Sequence, residues 1–375
     1  MPIRSTAKSE TYYDFFSASG TEVPFVYPTF NSNGERGIVA GGSPALSQSL
    51  IQYINVSSAG NATNFGNLHT NVHMAAGMSN KVRGVLGGGY MHQPSVAAQN
   101  YMQYFTIAST GNASDFGDLT VGRDRGGSVS NITRGCVCGG SGRNPSAYKE
   151  DTIDYITISS TGNAQDFGNL TVARERMMGG SCNGIRGVIW GDADSSPAET
   201  SKLDYITLDT TGNATNFGDP AMRREAHASS GNLTRGVCGG GYGPSAPNGT
   251  NVIEYITIAT TGNSTDFGDL TASKTSLGAL ASNTRGVWAG GYSNLNVIEY
   301  VTIATTGNGT DFGDLTVSPD DCAGSSDGSR GIIGGGYTGQ SDVTIGYITI
   351  ASTGNASDFG DLTDARHGMS TCSGT

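Results

Sequence analysis

Apolar positions along the chain come in short runs bounded by glycine, asparagine and serine. Gly286-Val287-Trp288-Ala289 and Ile253-Glu254-Tyr255-Ile256-Thr257-Ile258 are typical. Short runs rich in β-branched and aromatic residues predict strands. No apolar spacing of the helical kind is sustained anywhere. Several runs are apolar on both faces, which predicts sheets covered on both sides by neighbours.

One frame of such runs recurs seven times: Arg-Gly, an apolar run, a glycine pair, a loop, a Tyr-Ile-Thr-Ile-type run, a Thr-Gly-Asn-type turn and a segment like Asp-Phe-Gly-Asp-Leu. Its arginines are Arg36, Arg83, Arg134, Arg186, Arg235, Arg285 and Arg330. From the tyrosine to the phenylalanine the spacing is always 12. From Phe to the next Arg it is 18 five times and 19 once, whereas Arg to Tyr ranges from 15 to 21. Length variation therefore gathers in the loop before the Tyr strand, and in repeat folds such variation collects on one face, often the binding face.

Each unit reads as four strands, a to d. Strand a is typified by Ala173–Cys182, b follows Arg-Gly, c carries the Tyr and d carries the Phe. The turn Thr261-Gly262-Asn263 suits a tight hairpin, because Gly and Asn accept positive φ. Four strands per repeat of this length is the period of a propeller blade. The expected fold is all-β: a seven-bladed β-propeller of four-stranded blades over residues 31–375, preceded by an aromatic arm at 1–30. The segment Ala365–Cys372 matches strand a of the other units, and the first unit has none before Arg36. The C-terminal strand is thus expected to complete blade 1 and close the ring.

The order Ala-Arg, apolar run, Gly-Gly, variable loop, Tyr strand, aromatic, Leu resembles kelch repeats. The glycine pairs carrying the resemblance are Gly41-Gly42, Gly88-Gly89, Gly139-Gly140, Gly240-Gly241, Gly290-Gly291 and Gly335-Gly336. Blade 4 departs with Gly191-Asp192, and the aromatic 12 residues after Tyr is Phe where kelch repeats carry Trp at a shorter interval. The tract Tyr255–Asn263 also resembles repeat proteins of marine tailed phages such as cyanophages. The first resemblance implies the propeller fold and no particular activity. The second implies a virion component.

Composition sharpens this picture. Fifty-eight of 375 residues are glycine, and only 14% are charged. The net charge of −11, without a Lys/Arg cluster, argues against nucleic acid as a partner. The first residues lack the apolar core of a secretion signal, and no apolar run is long enough to span a bilayer. Membrane insertion is not expected; assembly in a host cytoplasm into a virion is. The six cysteines show no zinc-finger spacing, and no cofactor or metal is expected.

Repetition also weighs the candidate chemistry. Asp or Asn flanks every Phe of the frame. A ring of Ca²⁺ sites would need charged oxygens, yet Asn stands at four of fourteen positions, which suits Asx turns better. The seven arginines are expected to bracket neighbouring blades, the alternative being an anion-binding ring. No catalytic set is expected: there is no Ser/His/Asp motif and no isolated carboxylate pair. Loop-face candidates for binding are Tyr90, His92, Arg143, Tyr148, Asp192, Tyr242, Tyr292 and Tyr337. Tyr-, Asn-, Ser- and Gly-rich loops suit adaptable recognition. The arm carries Tyr12, Tyr13, Phe15, Phe16, Phe25, Tyr27 and Phe30, the composition of a strap on the propeller or of an anchor to other virion proteins. The expected function is a non-enzymatic virion protein of a tailed phage, in tail, fibre or capsid surface, contacting a host-surface glycan or protein. The alternatives are a free glycan-binding lectin and a polysaccharide-active enzyme.

Overall fold

The computed structural model describes residues 9–12, 25–28, 36–42, 49–80, 82–91, 97–142, 149–174, 179–190, 202–243, 245–246, 248–292, 295–367 and 370–374. Seven four-stranded antiparallel sheets form a ring, and no helix occurs among the described residues. In blade 5 the order from the axis outward is Ala228–Gly231, Arg235–Gly239, Thr250–Thr257 and Thr265–Lys274. The other blades repeat that order. Blade 1 draws its innermost strand from the C-terminal end: Ser370–Gly374 pairs antiparallel with Arg36–Ala40, placing Cys372 opposite Ile38. The ring is closed as the sequence predicts.

The inner strands are built almost entirely from small residues, such as Ala-Ser-Ser-Gly at 228–231 and Ala-Gly-Ser-Ser at 323–326. Seven strands converging on one axis leave no room for more. A Cβ on Gly324 would lie 2.5 Å from the Ala279 carbonyl oxygen of the adjacent blade. Inner-strand hydroxyls tie neighbours together; Ser128 Oγ donates to the Gly77 carbonyl and Ser326 Oγ to that of Ala281. The inner strand of blade 4 is shorter than the sequence predicts. Ala173 and Arg174 end the outer strand of blade 3 (Gln165–Arg174), and the inner strand begins at Gly179. Arg174 is drawn inward instead, for a reason given below.

The hydrophobic core is divided into seven clusters, one per interface between blades. Phe267 of blade 5, for example, packs with Ile303 of blade 6. Each Phe is the extra residue of a β-bulge on the outermost strand. In blade 5, Ile253 opposes Gly268 while Glu254 opposes Asp266, so Phe267 has no partner across the ladder and turns into the interface. Burying one such ring contributes about 2–3 kcal/mol. The glycine after Phe is a steric requirement. At Gly268 φ is +144°, and a Cβ there would lie 2.5 Å from the Gly307 carbonyl of the next blade.

Of the arm, Ser9–Tyr12 and Phe25–Pro28 are described; they pair as an antiparallel two-stranded sheet.

Candidate functional site

Strand direction places the a–b turns and c–d hairpins on one face of the ring, and the variable b–c loops with the d–a connections on the other. On the hairpin face, each Arg of the frame stacks on its own blade's Tyr, with the guanidinium carbon 4.2–4.8 Å from the ring centroid. Its Nη1 donates to a carbonyl of the next blade at 2.7–3.2 Å, in all seven blades. The last of these, Arg330 to Val56, spans the seam. The guanidinium charge is spread over a π-face and a carbonyl, a geometry that holds blades in register.

In five blades the side chain immediately before Phe serves a backbone group, whereas Asp219, two after Phe, pairs with Lys202 at 2.7 Å. The carboxylates of Asp115, Asp166, Asp311 and Asp358 accept the N–H two residues on, and the Asn216 side-chain oxygen does the same. These are Asx turns. The turn asparagines reach across blades: Asn163 Oδ1 accepts the Asp118 N–H and Asn61 Oδ1 that of Asp361. Between the Arg–Tyr stacks and these hairpins lie open polar pockets. One of about 410 Å³ is lined by Arg36, Tyr53 and Asn61, and one of about 400 Å³ by Arg134, Tyr155 and Asn163. Among the described residues, no cluster of His, Cys, Asp and Glu is arranged to hold a metal ion.

Deeper in the interfaces runs a feature that strand-by-strand reading missed. Arg123, Arg174, Arg224 and Lys274 are buried, each seven residues after its blade's Phe. Each is ion-paired with a buried carboxylate of the following blade: Asp154 (2.5 Å), Asp204, Glu254 and Glu299 respectively. The carboxylate always stands immediately before the Tyr of strand c. Its second oxygen often takes a further donor, as Asp154 does from Thr120 Oγ1 at 2.6 Å. This inward reach is why Arg174 closes the outer strand. Co-occurrence of the two positions across the repeats was the signal available in the sequence.

On the loop face, five of the described residues around the axis form a rim of strained backbone. Met74, Arg125, Ala226, Ser276 and Asp321 stand at equivalent positions, all with φ between +47° and +57°. Such conformations cost about 1–3 kcal/mol each in non-glycine residues and cluster at functional sites. Backbone bonds link rim members across blades: Arg125 N–H to Met74, Ser276 to Ala226 and Asp321 to Ser276, at 3.0–3.1 Å. Burial and the neighbouring Asp320 charge push the Asp321 carboxyl up to about 7. Beside the rim, burial pushes the His227 imidazole down to about 3.

The tyrosines named from the sequence divide by exposure. Tyr292 is 65% exposed and Tyr337 42%, on adjacent blades 6 and 7. The Tyr337 ring meets His367 edge-on at 5.5 Å, and His367 Nδ1 is 3.0 Å from Ser341 Oγ. Tyr242 is half-buried, its backbone paired with Glu225. Tyr90 is only 7% exposed and packs edge-on against His73 at 5.0 Å, so its ring is not offered to solvent. His92, Arg143, Tyr148 and Asp192 lie outside the described residues. Cys136, Cys138, Cys182, Cys238 and Cys322 are buried free thiols, and burial pushes those of Cys138, Cys238 and Cys322 up to about 12. That range is far from a reactive thiolate.

No protein-family model matches the chain, and no curated protein matches it. Its fold is shared with a solved structure described as "Structure of YjhT", at a TM-score of 0.56 and 12% identity, covering 78% of this chain and 98% of that one. At that identity the likeness is one of fold. The chain is a β-propeller of seven four-stranded blades.

Proposed function

We propose that the chain is a non-enzymatic binding propeller of a tailed-phage virion that presents its loop face to a host-surface glycan or protein, with residues 1–30 as its attachment to other virion proteins. The observation that carries the binding reading is the pair of exposed rings, Tyr292 and Tyr337, on adjacent blades beside the strained rim. Flat aromatic faces held on a rigid sheet stack on sugar rings or on apolar protein surface at small entropic cost. The non-enzymatic reading draws support from the buried carboxylates, which are occupied by arginine or lysine of a neighbouring blade. The virion placement rests on the phage-like repeat text and the aromatic arm.

Two experiments test this reading. The double variant Tyr292→Ala/Tyr337→Ala should lose at least tenfold in binding to host cells while keeping the wild-type melting temperature. Unchanged binding removes the loop face from consideration. Antibody labelling of virions should decorate particles, and unlabelled particles would refute the virion placement.

A further inference from the structure

Charge in the buried interblade layer is either matched or missing at six of the seven interfaces. Four carry base and acid together, as described above. Where the base position is Val72, the acid position is an amide, Gln103, whose Nε2 and Oε1 both bond to the Thr70 backbone at 3.0 and 2.8 Å. Where the base position is Pro319, the opposite position is Gly346. The seventh interface, between blades 7 and 1, breaks the rule. It keeps the cation, Arg366, and has Gln52 in place of the acid; both are 0% exposed.

The hydrogen bonds there leave a gap of one kind. Gln52 Oε1 is taken by the Thr363 N–H at 2.7 Å, so its Nε2 has no acceptor. Exchanging the amide atoms would only turn Nε2 towards the Thr363 N–H. Arg366 Nη1 donates to the Gly41 and Leu50 carbonyls at 3.0 Å, and its Nε reaches the Asp364 carbonyl at 3.4 Å. Nη2 makes no hydrogen bond. The facing carboxylate within reach is Asp364, 4.0 Å away and 47% exposed. Burial pushes the Arg366 guanidinium down only to about 10, so it stays charged at neutral pH. Two buried donors therefore lack an acceptor in a layer where the buried cations of four other interfaces each face a carboxylate. Leaving a buried charge uncompensated is strongly destabilising.

We propose that a small monovalent anion, a halide such as chloride, binds between Arg366 Nη2 and Gln52 Nε2 and takes the role that a carboxylate plays in blades 3 to 6. The site fastens the interface beside the ring's closing strand, where Arg366 lies in the connection leading into it.

The test follows thermal unfolding of the full chain in sodium chloride or bromide against sodium gluconate at constant ionic strength. The wild-type midpoint should rise saturably with halide, by about 4–7 °C, the range expected when one buried charge gains its partner. Gln52→Glu supplies the carboxylate internally. It should abolish the halide increment and melt above wild type in gluconate. Arg366→Met removes the cation and should abolish the increment as well, which decides the matter if Gln52→Glu does not fold. No halide-specific rise in the wild type, or a rise that persists in either variant, overturns the proposal.

Discussion

Replacing Glu254 by Gln would recreate at the blade 4–5 interface the mismatch present at Gln52. Glu254 is fully buried; one oxygen pairs with Arg224, and the other accepts the Ala221 N–H at 2.7 Å and the Ser264 hydroxyl. An amide keeps one acceptor and turns its NH₂ on the guanidinium. Breaking a buried pair from one side costs about 3–5 kcal/mol. With an unfolding entropy of about 2.1 cal/mol/K per residue, a ring of about 345 residues has an unfolding entropy of roughly 0.7 kcal/mol/K. The midpoint of thermal unfolding, followed by circular dichroism, should therefore fall by about 4–7 °C. The double variant Arg224→Met/Glu254→Leu removes both charges and leaves apolar bulk, so it should lie within about 2 °C of wild type. A Glu254→Gln midpoint unchanged to a degree, or a double variant as damaged as the single one, would show that these pairs do not act as coupled buried charges.

Gly268→Ala places a methyl against the Gly307 carbonyl and should cost about 2 kcal/mol or more in denaturant unfolding, whereas Gly307→Ala, whose Cβ would meet nothing within 4 Å, should cost less than about 0.5 kcal/mol. The two buried groups at the rim titrate with opposite sign. Asp321, raised to about 7, holds a proton in the folded state that the unfolded chain releases, so its contribution falls as pH rises from about 4 to about 7. His227, lowered to about 3, refuses a proton that the unfolded chain takes up below about 6.5, so its contribution falls as pH drops below that value. Between pH 4 and 6.5 the slopes oppose. Asp321→Asn should therefore make the melting temperature climb with pH across that window relative to wild type, and His227→Gln should make it decline; parallel profiles for the three proteins would refute the assignment.

The blade was legible in the chain because its defining contacts are close in sequence. The invariant spacing from Tyr255 to Phe267 is a hairpin with one bulged residue, and the match of Ala365–Cys372 to strand a revealed the seam. The interblade layer was harder to read. Arg123 and Asp154 belong to different blades, and each looks like a polar residue at a strand edge until the ring brings them together. The candidate tyrosines show the same limit. Tyr90 and Tyr292 occupy equivalent places in the frame, yet His73 packs against the ring of Tyr90 while Tyr292 is largely exposed. Equivalence in the repeat fixes where a side chain begins and leaves open what its neighbours do with it.

A core divided among seven interfaces makes failure a matter of pairs. A linear stack of seven blades has six joints, and the loss of one separates it. A closed ring has seven, and an arc of blades can swing free only when two joints give way together. One mismatched joint, such as that between Arg366 and Gln52, can therefore be carried by the other six. That redundancy gives each interface room to drift in sequence while the circle holds.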